Sequence, residues 1–185
     1  MNYDLNRFVN LTILLSAQVD SEKLFEVILR EAMLIGHCDG GTIYLKEDNE
    51  LHFKHVITRS KNVSFNPSTG PEPFPPVPMS KAYVCAYSAM HRTRLNIPDV
   101  YRSTQFDFMG TRQYDMRNGY RTSSMLVIPM AVESDEVIGV LQLINATDDK
   151  GNIAPFTEEQ EHLVMALGSV AALYIENRQL KGLLR

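Results

Sequence analysis

Tryptophan is absent from this 185-residue chain, and cysteine occurs only at Cys38 and Cys85. Two cysteines are too few for a disulfide framework. They suit a reducing compartment and read as small core residues. No two lysines or arginines are adjacent, and 18 of them stand against 22 aspartates and glutamates, a net charge of −4. Binding a nucleic acid polymer needs clustered cations that release phosphate counterions, so the expectation is no nucleic-acid partner. No apolar run approaches the ~20 residues that span a bilayer. Asp4, Asn6 and Arg7 precede only a short apolar run at 11–15, which is not the pattern of a secretory leader. A cytoplasmic domain with no membrane partner is therefore expected.

Catalytic strings are missing as well. There is no G-x-x-x-x-G-K-[ST], G-x-G-x-x-G or G-x-S-x-G. His37, His52, His55, His91 and His162 are scattered without metal-ligand spacing, and the cysteines form no C-x-x-C pair. Asp99, Asp107 and Asp115 suit turns better than paired acid–base work. No residues are left on which to found an enzyme, and no metal site is expected.

What the chain does have is ordinary globular composition, 44% hydrophobic and 22% charged, at a length that suits one domain with flanking helices. Apolar residues recur at helical spacing over 4–17 and again from Leu24 to Met33, with Asp20 and Ser21 as capping types before the second run. Residues 42–45 and 51–58 read as a hairpin, with Leu51, Phe53, His55 and Ile57 on one face. Six of the nine prolines fall within 59–78, which argues against helix or central strand there. Ser80 is placed to cap a helix running to about His91. Residues 95–97 form a short strand, and a helix within 99–119 stops at Asn118-Gly119. Residues 124–131 and 137–145 form a second hairpin, and 151–155 a turn.

The last helix opens with a capping box, Thr157 and Gln160. Leu163, Ala166, Val170, Leu173, Asn177, Leu180 and Leu184 then follow heptad spacing, with Asn177 at a position where one polar residue fixes register in a parallel dimer. The first half of that stripe is expected to pack on the domain's own core. From about Ile175 onward it meets a partner helix. The dimer residues are Leu173, Asn177, Leu180 and Leu184. Adjacent antiparallel strands with helices at both ends give an α+β class, a central antiparallel sheet with helices packed on it and long N- and C-terminal helices.

Leu95-Asn96-Ile97-Pro98-Asp99, Phe106-Asp107-Phe108, Gly110-Thr111-Arg112, Asp115 and Gly119-Tyr120-Arg121-Thr122 precede the strand pair 125–130 and 137–145. In that order these residues resemble a GAF domain. Gly41–Leu45, Phe74-Pro75-Pro76 and Pro155–Glu159 extend the likeness to about residues 20–178. It is similar to the GAF domains that precede bacterial HD-GYP-type phosphodiesterases, cyclases or kinases, and to the regulatory GAF domains of cyclic-nucleotide phosphodiesterases.

The resemblance implies a regulatory sensor that is not itself an enzyme. Its parts are a helix at 1–19, a sensor at 20–160, and a C-terminal helix at 161–185 leading to a covalently linked output domain. It implies a small-molecule ligand, a cyclic nucleotide or another metabolite, at Thr42, Ile57, Thr58, Ser80, Lys81, Asp115, Asn118, Thr122 and Gln142. The family's signature is matched by Asn145, Phe156 and Glu161, while Ala146 and Gln160 stand where the cyclic-nucleotide binders have Lys and Asp. Taken singly, Lys81 reads as a solvated lysine, Asp115 as a turn former and Gln142 as an exposed strand position. The alternative function is a ligand-free dimerisation module with a vestigial pocket. A third reading is similarity to the GAF-fold free-methionine-sulfoxide reductases, and it requires working cysteines. Cys85-Ala86 lacks the Cys-His pair of many bilin-binding relatives.

Overall fold

The computed structural model describes residues 20–70, 75–132 and 136–182. The helix expected over 4–17, with the rest of 1–19, lies outside them, as does Leu184. The first described helix, α1 (Ser21–Ile35), begins where the Asp20 carboxylate accepts from the Glu22 N–H at 2.9 Å. Leu24, Phe25, Ile28, Leu29, Ala32 and Met33 recur on one side of it and are all buried. Burying each large side chain contributes ~1.5–3 kcal/mol, which outweighs the weak propensity of an isolated helix this short.

The chain then forms β1 (Cys38–Glu47) and β2 (Glu50–Thr58), a 3-10 turn at Arg59–Lys61, β3 (Val63–Phe65) and β4 (Val77–Pro78). After these come α2 (Val84–His91), β5 (Leu95–Ile97), α3 (Met109–Asn118), β6 (Met125–Ala131), β7 (Val137–Thr147), β8 (Ile153–Ala154) and α4 (Glu158–Leu180). All strand pairs are antiparallel, in the order β3-β2-β1-β7-β6-β5, with β4 beside β2 and β8 beside β7. The sheet divides two cores. α1 and α4 cover one face through Ile43, Leu45, Leu126, Ile128, Leu141 and Leu143. α2, α3 and their loops cover the other, which carries Tyr44, Phe53, Val127, Val140 and Ile144. The α+β class and the helix-covered antiparallel sheet are as the sequence implied.

Four local expectations are corrected. β2 does not keep one face. The pairing runs Tyr44 with Phe53 but Ile43 with His55, so Lys54 is an extra residue in a bulge. Leu51 and Phe53 therefore belong to the second core while Ile57 belongs to the first. Ser80 is not a helix cap: its carbonyl and hydroxyl accept from Tyr83 N and Ala82 N in a turn, and α2 begins only at Val84. Residues 153–154 leave the expected turn to pair with Ala146 and Thr147. In α4 the core face is Val164, Leu167, Gly168, Ala171, Ala172 and Ile175, the last buried position, so the core stripe runs beside the heptad stripe rather than along it. Leu163 and Val170 flank that face, whereas Ala166 and Leu173 of the heptad stripe are exposed.

The bulge leaves His55 against α1. It is 1% exposed, and neither ring nitrogen has a hydrogen-bond partner among the described residues. The charged groups acting on it are Glu22, Glu26 and Arg30 of α1. Burial, only partly opposed by Glu26 and Glu22, lowers its pKa below the ordinary 6.5. A lowered basic pKa means that the unfolded chain takes up the proton first. Stability is then full above about pH 6.5 and declines as pH falls through the lowered native value. The His55→Phe variant is expected to show a flatter stability curve between about pH 7 and pH 5 than the parent, read by urea denaturation at each pH. Parallel curves would count against this role.

Candidate functional site

Between the second sheet face and its cover lies a cavity of about 350 Å³, at the lower end of ligand-pocket sizes. Its position follows from strand alternation. Thr42 and Tyr44 of β1 point away from the α1 face, because Ile43 and Leu45 point toward it. Gln142 pairs with Thr42 on one side and Val127 on the other. Its neighbours Leu141 and Leu143 fill the first core, so its own side chain is on the cavity face. Phe53, Val56 and Thr58 line the β2 side, Tyr83, Val84 and Cys85 the start of α2, and Pro75–Pro78 a rim. Asp107, Met109–Thr111, Gln113 and Tyr114 form the roof.

The roof is held at two points. At its far end the buried Asp115 carboxylate accepts three hydrogen bonds: from Thr122 N at 2.8 Å, from Thr122 Oγ1 at 2.8 Å and from the Tyr101 hydroxyl at 2.8 Å. That last bond is the main reason the Tyr101 pKa is raised. The Gly119 C-cap, at φ 54°, ends α3 and lets the chain return to Thr122. Nearer the cavity, the Tyr114 hydroxyl and Thr58 Oγ1 lie 2.5 Å apart, joining roof to β2. Burial raises the Tyr114 pKa, so its hydroxyl is neutral at pH 7.

Five of the nine expected ligand residues line this space: Thr42, Ile57, Thr58, Thr122 and Gln142. Ile57 borders it although its side chain belongs to the first core. The other four do not line it. Ser80 makes the turn before α2, and Lys81 is exposed. Asp115 stands behind Thr122 as an anchor, and the Asn118 amide donates to the Tyr114 carbonyl at 2.9 Å. The sequence reading missed Tyr44, Phe53, Phe65, Tyr83 and Tyr114, which give the cavity its aromatic lining. Only Tyr44 carried a signal, two residues after Thr42 on the same strand.

The signature residues lie elsewhere and have structural work. Asn145 sits at φ 58°, a left-handed conformation that asparagine tolerates. Its amide donates to the Tyr120 hydroxyl and the Arg121 carbonyl and accepts from Ser123 N, at 2.8, 2.7 and 2.7 Å, tying the end of β7 to the turn before β6. The Tyr120 hydroxyl in turn donates to the Asp39 carboxylate at 2.8 Å. Phe156 is buried in the first core, while Glu161 pairs with Arg94 and accepts from Asn96. Gln160 completes the capping box and also donates to the Gly36 carbonyl at 3.1 Å.

No lysine or arginine lines the cavity among the described residues. Among the described residues its one carboxylate, Asp107, is exposed and accepts from Met109 N, the first residue of α3, at 2.8 Å. The start of α2 has no side-chain cap, and its first residues line the cavity, so the positive helix end borders the space. Such an end stabilises an anion by at most ~2 kcal/mol, whereas the desolvation penalty of a buried ion is several kcal/mol. Cys85 faces the cavity and Cys38 the opposite core, and burial pushes both thiols up to about 12. Thiolate chemistry is thereby suppressed at both.

A sequence model described as the GAF domain matches residues 20–175. The dual 3',5'-cyclic-AMP and -GMP phosphodiesterase 11A of Takifugu rubripes is 34% identical over 104 residues, 56% of this chain and 11% of that protein. The cGMP-specific 3',5'-cyclic phosphodiesterase of Drosophila pseudoobscura pseudoobscura is 23% identical over 171 residues, 88% of this chain and 14% of that protein. The chain thus corresponds to a small part of these relatives. The crystal structure of the GAF domain from an Acinetobacter phosphoenolpyruvate-protein phosphotransferase superposes with a TM-score of 0.72 at 14% identity, over 98% of both chains. That likeness concerns the fold. Among the described residues no helix is long and apolar enough to cross a membrane. With the family match spanning most of its length, this chain belongs to the GAF domain family.

Proposed function

We propose that the chain is a regulatory sensor in which a small molecule occupies the cavity under α3 and its occupancy is passed through the end helices to an output domain. The observation that carries this reading is the cavity itself, a preformed aromatic space on the sheet with unspent polar groups in its wall. Residues 20–160 form the sensor, with 1–19 and 161–185 as its helical wiring in the cytoplasm. A ligand acts here only by its differential affinity for two arrangements of the roof. A linked phosphodiesterase, cyclase or kinase is the output the family resemblance suggests.

The test is a thermal-shift screen with cyclic nucleotides and other small metabolites. A ligand at a hundred times its Kd adds about 2.7 kcal/mol, which for a chain of this size is a rise in Tm of roughly 5–10 °C. The Gln142→Leu variant should lose that rise. If no candidate stabilises the protein, the sensor reading gives way to a dimerisation module with a vestigial pocket. The structural roles of Ala146 and Gln160 are compatible with that second reading, since neither reaches the cavity.

The dimer is proposed to be parallel, through Leu173, Asn177, Leu180 and Leu184. Support comes from Leu173 and Leu180, which are 52% and 82% exposed on a helix whose other apolar face is already buried. Leu173→Asp combined with Leu180→Asp is expected to convert the dimer to a monomer in sedimentation, with the melting temperature of the domain little changed. A dimer that survives both changes would refute the heptad assignment.

A further inference from the structure

We propose that the cavity selects an uncharged planar molecule with an amide-like edge, and that it rejects phosphate- or carboxylate-bearing forms of the same ring. This rests on the small-ligand reading above. Tyr44, Phe53, Phe65, Tyr83 and Tyr114 surround the space and favour a flat apolar body. On its floor the Gln142 amide has no hydrogen-bond partner among the described residues, and it offers an acceptor oxygen beside donor hydrogens. A carboxamide or lactam edge satisfies both sides at once. A carboxylate satisfies only the donor side and opposes the amide oxygen.

The neighbouring groups reinforce the choice. Thr122 lines the cavity and donates its hydroxyl proton to Asp115, which places that carboxylate directly behind the wall. Asp107 adds a second carboxylate at the roof. With no lining cation among the described residues, an anion would meet two negative charges and only the end of α2 in its favour. Lys81, the one cation among the expected ligand residues, is exposed and lines no part of the space. A neutral carbonyl can lie at the positive end of α2 without that conflict.

The experiment compares ring-matched pairs on the whole chain by calorimetry: guanosine with cyclic GMP, and benzamide with benzoate. The neutral member of at least one pair is expected to bind at least tenfold more tightly than its anionic partner. Gln142→Leu should weaken that binding tenfold or more. Asp107→Asn, whose amide oxygen can still accept from Met109 N, should narrow the neutral-over-anionic preference. Equal or tighter binding by cyclic GMP or benzoate, lost in Gln142→Leu, overturns the charge assignment while leaving a ligand sensor in place. No binding by any of the four also overturns it, and the wider metabolite screen then decides whether the cavity is used at all.

Discussion

Asp115→Ala is expected to lower the unfolding free energy by about 3 kcal/mol and to detach α3 from the sheet. Three donors converge on the Asp115 carboxylate, and it is 2% exposed. A hydrogen bond to a charged group contributes ~1.5–3 kcal/mol, and donors left buried without an acceptor add their own desolvation cost. Non-additivity keeps the total below the sum of three bonds. Asp115→Asn should recover only part of the loss, because an amide sets its own N–H groups against a ring of donors. Urea denaturation measures the stability. Hydrogen exchange along Met109–Asn118 reads the helix itself, which buries no residue but Asp115 and so has no second anchor of comparable strength. A loss under about 1 kcal/mol, with α3 amides still protected, would remove Asp115 from this role. Ligand affinity should fall with the roof, since Met109–Thr111 and Tyr114 belong to the cavity wall.

Gly139→Ala is expected to be comparably damaging for a different reason. Gly139 lies in the central strand β7, paired with Leu45 on β1 and Met130 on β6. An added Cβ there would collide with the Tyr44 carbonyl oxygen and come within 2.7 Å of Met130 Cε. The methionine end can swing aside, but the carbonyl cannot without opening the β1–β7 ladder. A destabilisation of about 3 kcal/mol is expected, the upper range for overpacking a close-packed interior. The contrasting variant is Gly110→Ala in α3. A Cβ at Gly110 would meet nothing within 4 Å, so the change should stabilise by up to ~1 kcal/mol through helix propensity. A urea midpoint unchanged or raised by Gly139→Ala would contradict the clash, and one clearly lowered by Gly110→Ala would contradict the open space at that position.

The Gly139 contact belongs to the same ladder that forms the cavity floor. β1 and β7 approach closely where Tyr44 passes Gly139, and the same two strands present Thr42 and Gln142 side by side further along. Floor and clash are thus parts of one ladder. α3 is more weakly held: its exposed Met109 and Met116 and its single buried residue, Asp115, give it little purchase on the core.

Sequence by itself determined whatever depends on neighbours along the chain. The Asp20 cap, the Thr157–Gln160 capping box and the Asn118-Gly119 stop all have their partners within a few residues, and each is found in place. The β6–β7 hairpin is similarly local. Order and type of these elements also carried the family resemblance, and with it five residues of the cavity. Tertiary structure decided whatever depends on a partner far away. The bulge at Lys54 is set by pairing with β1, and one extra residue sends His55 and Ile57 to the opposite face from Phe53. In α4 two apolar stripes run side by side, so periodicity alone could not choose the core face. The sheet chose Val164 through Ile175 and left Leu173 and Leu180 exposed. Asp115 reads as a turn former until Thr122 and Tyr101 are brought to it, and the charge of the cavity exists only once its walls have met. Local hydrogen bonds and backbone preferences are written in adjacent residues. Face, register and the polarity of an enclosed space are written in contacts that form only when the whole chain packs.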